Sequence, residues 1–198
     1  MEPNVNHSIC SKCGGKCCKY SGCALFPINI SNPFRYSKLL KRMQTGKYSF
    51  KLSLFQDCES SQYGYQLRIK ARNVDRDVVD LFSAPNRCMH WRAKGGCLFT
   101  DATRPYEGLH LIPQPSYQCY PDFSANFAFE QWEKVQSDLK KAFVKFSPNG
   151  DDVLTTLYKQ YKANIEEVRQ SAKDDPALKH FLIAVEALLK QEGYLLEN

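Results

Sequence analysis

The chain has 198 residues, of which 43% are hydrophobic and 24% charged, and its formal net charge is +6. This length can bury a hydrophobic core, and the composition excludes disordered and fibrous proteins. No stretch approaches the roughly 18 consecutive apolar residues of a membrane-spanning helix. The first ten residues lack the basic and apolar regions of a secretory signal. We therefore expect a cytoplasmic protein that does not insert into a membrane.

The first feature along the chain is the segment CSKCGGKCCKYSGC, residues 10–23, which holds five of the nine cysteines. In a reducing cytoplasm, such clusters bind metals or act in catalysis more often than they form disulfides. The spacing is C-x2-C-x3-C-C-x4-C, and its CxxC pair, Cys10 and Cys13, can reach one ion. Three interspersed lysines favour the thiolate form that a metal requires. Disulfides remain the less favoured alternative.

The next segments predict a helix and several short strands. The helix is capped by Ser31 or Asn32, has Pro33 in its first turn and ends at Gly46. Its apolar stripe contains Phe34, Leu39, Leu40 and Met43. Residues 63–72 alternate in polarity and predict a strand. Residues 74–82 indicate a short helix or a turn, and residues 96–99 and 109–113 indicate short strands.

Basic residues concentrate around the predicted helix, where Arg35, Lys38, Lys41 and Arg42 lie near aromatic residues. Residues 1–122 carry a net charge of +8, whereas residues 123–198 carry −2. Cations beside aromatic rings can bind nucleic acid, because they contact phosphates while the rings stack on bases. The simpler interpretation is a solvated helix face. Nucleic-acid contact through these four residues is therefore an alternative prediction.

The last third of the chain predicts three amphipathic helices. The first runs from Asn126 to Phe146, and Asp151 and Asp152 open the second. The third has Asp175 as its N-cap and Pro176 at its first position. Short connections between such helices favour a small antiparallel bundle. We therefore predict an α+β protein: an irregular, metal-stabilised cysteine-rich domain in residues 1–122, and a three-helix bundle in residues 123–198 that packs on it.

Three later cysteines can complete a metal site with those of the N-terminal segment. The candidate ligands are Cys10, Cys13, Cys17, Cys18, Cys23, Cys88, Cys97 and Cys119. Cys58 stands apart and is predicted to be a spare or buried thiol rather than a ligand. Neither the paired CxxC of a zinc ribbon nor the ferredoxin run of cysteines is present. The pattern therefore indicates metal ligation without identifying the metal, and both one site and two sites are compatible with eight sulfurs.

The CSKCGGKCC element, the following CALFPINI and the later GCLF…RP…GLHLIP resemble the YkgJ-like cysteine-cluster family, whose members are described as zinc- or iron-chelating. The resemblance covers roughly residues 8–120. In that family the later element usually runs RPxxC, whereas here Gly108 stands at the cysteine's position. The resemblance implies that the site uses fewer sulfurs, or that Cys119 or His110 substitutes. Flagellin lysine methylases carry a similar cluster thought to hold iron–sulfur, and this chain is shorter than those enzymes.

Three functions are consistent with these observations. The preferred one is a metal-binding protein that holds zinc through the cysteine cluster, with His110 as a possible accessory ligand and a [4Fe–4S] cluster as the alternative cofactor. The second is an enzyme that modifies a protein or small molecule with a cysteine-bound iron–sulfur cluster. The third is a nucleic-acid-binding module whose basic surface is held in shape by zinc. A metal ion is the predicted partner in each, and a protein partner is compatible with all three.

Overall fold

The computed structural model describes residues 22–82, 87–93, 96–99, 103–112 and 119–196. The described residues form a mixed α+β structure, as predicted. They contain helices α1 (Pro27–Ile30), α2 (Tyr36–Gln44), α3 (Tyr106–Leu109), α4 (Ala125–Glu133), α5 (Gln136–Phe146), α6 (Val153–Ser171) and α7 (Pro176–Gln191). Their strands are β1 (Tyr48–Gln56), β2 (Tyr63–Ala71), β3 (Trp91–Arg92), β4 (Gly96–Cys97), β5 (Leu111–Ile112) and β6 (Tyr120–Pro121). Each strand pairs in a two-stranded antiparallel sheet.

The hairpin of β1 and β2 is the largest sheet of the described residues, with a register from Tyr48 opposite Ala71 to Gln56 opposite Tyr63. The predicted strand in residues 63–72 is confirmed. Strand β1 was not predicted, because its lysines obscure the alternation of apolar and polar residues. Phe50 and Leu52 are nevertheless buried opposite Ile69 and Leu67. The hairpin therefore presents an apolar surface that neighbouring elements cover.

Helix α2 is shorter than the predicted helix. Its N-cap, Arg35, has extended backbone angles, and the Ser31 hydroxyl accepts a hydrogen bond from the Arg35 N–H at 2.9 Å ahead of the helix. Ser31 therefore closes a turn instead of capping the helix, since the chain does not become helical until Tyr36. The predicted end is confirmed, because Gly46 adopts a left-handed φ of +65°, which favours glycine. Leu39 and Met43 are fully buried, as the predicted stripe requires.

The predicted helix from Asn126 to Phe146 is instead two helices, α4 and α5. They separate at Lys134 and Val135, where Val135 has a φ of −122° and a ψ of 8°. The Gln136 side chain donates to the Trp132 carbonyl at 3.0 Å across this break. The predicted starts of the next two helices are confirmed: Asp152 and Asp175 accept hydrogen bonds from backbone N–H groups of α6 and α7.

The predicted three-helix bundle is not confirmed, because the C-terminal helices pack on the β1–β2 hairpin. Phe143 of α5 contacts Phe50 of β1 edge to face, with ring centroids 5.1 Å apart. One cluster of buried residues runs from Leu25 through the hairpin to Leu189 of α7. The apolar stripes of the helices therefore cover the hairpin as well as one another.

The irregular region between β2 and α4 forms only short elements. Residues 74–82 adopt turns and bends, which is one of the two predicted alternatives. The predicted strands in residues 96–99 and 109–113 are present as the two-residue strands β4 and β5. Helix α3, which was not predicted, lies between them. Among the described residues, no helix combines the length and the apolar character needed to cross a membrane.

Candidate metal centre

The structure describes Cys23, Cys58, Cys88, Cys97 and Cys119, all as free thiols. The other four candidate ligands, Cys10, Cys13, Cys17 and Cys18, lie outside the described residues. The local structure around three of the described cysteines shows how the fold brings together parts of the chain that are distant in sequence.

Cys23 lies in an extended segment that runs alongside the end of β2. The Ala71 N–H donates to the Cys23 carbonyl at 3.0 Å, and the Leu25 N–H donates to the Ile69 carbonyl at 2.8 Å. These bonds satisfy backbone groups on the outer edge of β2. Cys23 is therefore held beside the last residue of the hairpin.

Cys88 also lies beside the end of β2, because Asn73 and Cys88 form an antiparallel bridge just after that strand. The Met89 N–H donates to the Arg72 carbonyl at 3.0 Å, next to that bridge. The Asn73 side chain also accepts a hydrogen bond from the Gly22 N–H at 3.0 Å. Asn73 is 4% exposed and joins the segment that carries Cys23 to the one that carries Cys88.

The short hairpin of β3 and β4 folds the chain back, so that Cys97 lies near the segment that contains Cys88. Trp91 lies opposite Cys97 in this hairpin, and the Trp91 N–H donates to the Cys88 carbonyl at 3.0 Å. The Leu98 N–H donates to the His90 carbonyl at 2.8 Å and continues the pairing. Cys88 and Cys97, nine residues apart in the sequence, therefore lie on one small structural unit.

The pKa of the Cys88 thiol reflects its burial and its neighbours. Its side chain is 1% exposed, and burial raises the pKa of the Cys88 thiol to about 11, well above its ordinary value. The His90 backbone N–H and the Lys70 ammonium act in the opposite direction, while the thiols of Cys23 and Cys97 raise this pKa further. These opposing effects leave the Cys88 thiol protonated at neutral pH.

Gly108 of α3 lies beside the Cys23 thiol. A β-carbon added at Gly108 would lie 3.2 Å from the Cys23 sulfur and 3.1 Å from Cγ of Arg104. Helix α3 is anchored to this region because the Glu107 carboxylate accepts a hydrogen bond from the Ala24 N–H. The position at which the family resemblance leads us to expect a cysteine therefore faces a candidate ligand, but this chain has no side chain there.

His110 is 3% exposed, directly after α3, and its ring stacks on that of Tyr106 at a centroid distance of 4.0 Å. Burial lowers the pKa of this imidazole, which favours the neutral form that metals bind. Its Nδ1 is buried and has no hydrogen-bond partner among the described residues. Its predicted role as an accessory ligand stays a prediction.

The remaining cysteines lie elsewhere. Cys119 is half-buried just before β6, and the thiols that act on Cys88 are those of Cys23 and Cys97. Cys58 is exposed in the turn between β1 and β2, consistent with a spare thiol. Within the described ranges, no three Cys, His, Asp or Glu side chains are arranged so that they could hold a metal ion by themselves. Cys23, Cys88 and Cys97 are therefore at most part of a ligand set.

The four basic residues predicted to contact nucleic acid lie on or beside α2. Arg35, Lys38 and Lys41 are exposed. Arg42 is half-buried, with its guanidinium 5.2 Å from the centre of the Tyr48 ring. The structure thus places these residues on one helix, several elements away along the chain from Cys88 and Cys97.

Sequence reasoning missed Asn73, which organises the site through one backbone bridge and one side-chain hydrogen bond. The only available signal was an asparagine directly after a predicted strand, a position that also suits an ordinary turn. Comparison of the chain with family models, with curated proteins and with solved structures finds no match. The resemblance to the YkgJ-like family is therefore a prediction that no comparison tests.

Proposed function

We propose that this protein binds a metal ion or cluster through Cys23, Cys88 and Cys97 together with cysteines of residues 10–18. The observation that supports this proposal is that Asn73 joins the segment that carries Cys23 to the one that carries Cys88, and that the β3–β4 hairpin carries Cys97 back beside that second segment. Buried free cysteines are common in protein cores. Here, by contrast, Cys23 is only half-buried and lies beside Gly108, a position without a side chain, which suits a ligand better than a core residue.

Covalent geometry permits the N-terminal cysteines to contribute. Cys18 precedes Cys23 by five residues, so their Cα atoms are at most about 18 Å apart in any conformation. Cys17 is one residue further away. Thiolates are strong ligands for zinc and for iron–sulfur clusters, and neither tolerates a protonated thiol. A cation bound among the three described thiols would offset the burial that keeps Cys88 protonated.

Zinc is the preferred occupant, because the sequence contains no recognised iron–sulfur motif. A bound ion would supply a cross-link between the segment ending at Cys23 and the β3–β4 hairpin. The chain's own residues supply the rest: Asn73 aligns the two segments, and the His90 N–H and Lys70 stabilise the Cys88 thiolate. The function that this arrangement suits is structural or that of a metal carrier.

The proposal is tested by metal analysis and visible absorption on protein purified without oxygen, comparing wild type with Cys23→Ser and Cys97→Ser. Both residues are half-buried, so these substitutions perturb packing less than a change at Cys88 would. We expect wild type to contain stoichiometric zinc and both variants to lose most of it. Cys58→Ser is the matched control, because Cys58 is an exposed cysteine in a distant turn.

A colourless protein with zinc would support a structural or carrier role. A brown protein, with iron, sulfide and absorption at about 400 nm, would instead identify an iron–sulfur cluster and favour the enzymatic alternative. The metal proposal fails if wild type contains neither metal, or if Cys23→Ser and Cys97→Ser retain as much metal as Cys58→Ser. Quantifying free thiols in the unreduced protein would then show whether these cysteines are disulfide-bonded.

A further inference from the structure

Helix α2 lies in a part of the chain that is rich in cationic residues. Residues 3–56 contain nine Lys or Arg and no Asp or Glu. Six cationic residues on the described elements form what we name the basic face: Arg35, Lys38, Lys41, Arg42, Lys47 and Arg92. The proposed metal centre does not account for this surface.

Helix α2 presents its cations on one side because its apolar side chains fix its orientation. Leu39 and Met43 are fully buried against the core. Lys38 and Arg42 are four residues apart, and Lys41 is three residues from Lys38, so the three share one flank of the helix. Like charges at these spacings destabilise a helix, and α2 has no acidic residue in its first turn to offset them.

The basic face extends beyond α2 through Tyr48. The Arg42 guanidinium donates to the Tyr48 hydroxyl at 3.4 Å, and the Tyr48 ring lies 6.3 Å from that of His90. Lys47 and Arg92 both lie close enough to His90 to interact with it electrostatically. The face therefore runs from α2 across the start of β1 to the β3 strand.

None of the six cations forms a salt bridge with a carboxylate in the part of the chain that the structure describes. The salt bridges found there involve Arg76, Lys159 and Arg169 instead. A cluster of exposed cations without internal counter-charges raises the local positive potential and attracts anions. The charge of the basic face is thus available to a polyanionic partner.

The chemistry of the basic face favours a nucleic acid over a membrane. Membrane-surface helices place exposed large apolar side chains beside their cations. The exposed large apolar residues among those described are Ile28, Phe55, Leu98, Tyr120, Val144, Ile183 and Leu196, and none lies on α2. The Arg42–Tyr48 pair, by contrast, places a half-buried guanidinium over an aromatic ring, and both are group types that stack on bases.

We propose that the basic face binds the phosphodiester backbone of a nucleic acid. Lys38, Lys41 and Lys47 contact phosphates as mobile point charges, while Arg42 is held in place by Tyr48. Nine residues of helix span about 13 Å, enough to follow several successive phosphates. Because the contacts are to the backbone, we expect weak sequence preference and a strong dependence on salt. This proposal does not depend on the identity or presence of the metal.

The test measures fluorescence anisotropy of labelled oligonucleotides of about 20 nucleotides, as single-stranded RNA, single-stranded DNA and duplex DNA, between about 50 and 200 mM KCl. The full chain is compared with Lys38→Glu/Lys41→Glu. Lys173→Glu/Lys179→Glu is the matched control, because it makes the same change in net charge at exposed positions in and before α7. All four side chains are exposed, and circular dichroism checks that each variant is folded.

We expect the α2 variant to bind at least about tenfold more weakly than the control variant, and its slope of log K against log salt to be shallower by about 1 to 2. The oligonucleotide that binds most tightly, single-stranded RNA, single-stranded DNA or duplex DNA, then identifies the kind of nucleic acid that the basic face binds. The proposal is wrong if the control loses as much affinity as the α2 variant, which would indicate only net charge. It is also wrong if no oligonucleotide binds at low salt, or if vesicles of phosphatidylglycerol bind while oligonucleotides do not. We expect the metal content to be unchanged in the α2 variant. Measuring it keeps this outcome separate from the metal proposal.

Discussion

Gly108 shows how one residue can set the composition of the proposed metal site. The space beside the Cys23 sulfur is bordered by Gly108 on one side, and the nearest atoms of Arg104 belong to its flexible side chain. A larger residue at this position could therefore be accommodated by a small shift of Arg104. The resemblance implies a cysteine here, and the geometry places that position within reach of Cys23.

We predict that Gly108→Cys brings a new thiol to Cys23. Its β-carbon would lie 3.2 Å from the Cys23 sulfur, a separation compatible with an S–S bond of about 2.05 Å. Under oxidising conditions we expect a 23–108 disulfide, detected by peptide mass spectrometry. Under reducing conditions we expect slower loss of metal to a chelator than in wild type. Gly108→Ser is the control for size, and no disulfide together with unchanged metal release would contradict this placement of α3.

Three glutamine side chains connect the helices to the chain's other elements. Gln136 of α5 pairs with the N–H and carbonyl of Leu67, at 2.9 and 2.8 Å. Gln191 of α7 makes the same pairing with Tyr63, and Gln160 of α6 bonds the backbone of residues 79–82. An open strand edge carries unpaired backbone groups, which are costly when buried. These glutamines therefore help to dock the helices where they lie.

We predict that Gln136→Met destabilises the protein, because it removes both partners of the buried Leu67 backbone while keeping a side chain of similar length. Leaving such groups unpaired costs about 1–3 kcal/mol. For a chain of this size, each kcal/mol corresponds to about 2–4 °C in Tm. Thermal unfolding followed by circular dichroism measures the change. Gln170→Met, at an exposed position of α6, should leave Tm almost unchanged, and an equal fall in both variants would show that the Leu67 pairing is unimportant.

For the whole molecule, the main question is whether residues 123–198 have a core of their own. The buried cluster extends across Pro121, since Trp132, Leu139 and Phe143 share it with Phe50 and Leu67. The difference in charge between the two parts of the chain does not coincide with a division in this cluster. One buried cluster thus contains residues from both parts, and the division into residues 1–122 and 123–198 stays a prediction.

We predict that a fragment of residues 123–198 is only partly helical and lacks a cooperative thermal transition. Without the hairpin, the faces around Trp132 and Phe143 would be exposed to water, and isolated helices of this length are marginally stable. Circular dichroism and one-dimensional NMR of the fragment, measured beside the full chain, test this expectation. A cooperative transition with dispersed methyl resonances would instead show that the helices form an independent bundle.

Local patterns were sufficient to predict several elements of the fold. Periodicity and turn residues identified β2, the end of α2 at Gly46, the start of α6 at Asp151 and Asp152 and the cap at Asp175, because these depend on neighbours in the sequence. They did not identify β1 or the break at Val135. Strand β1 owes its stability to pairing with β2, and the break adjoins Gln136, whose side chain bonds Leu67, 69 residues away.

By itself, the sequence determined the clustering of cysteines, the uneven charge and the positions of the amphipathic helices, since each follows from residue type and spacing. Only the tertiary structure decided that Cys23 and Cys88 meet at Asn73, that Gly108 faces the Cys23 sulfur and that the helices cover the hairpin. The physical reason is that these contacts join residues far apart in the chain. Their free energy comes from burial and from satisfying strand-edge hydrogen bonds, which no local pattern records.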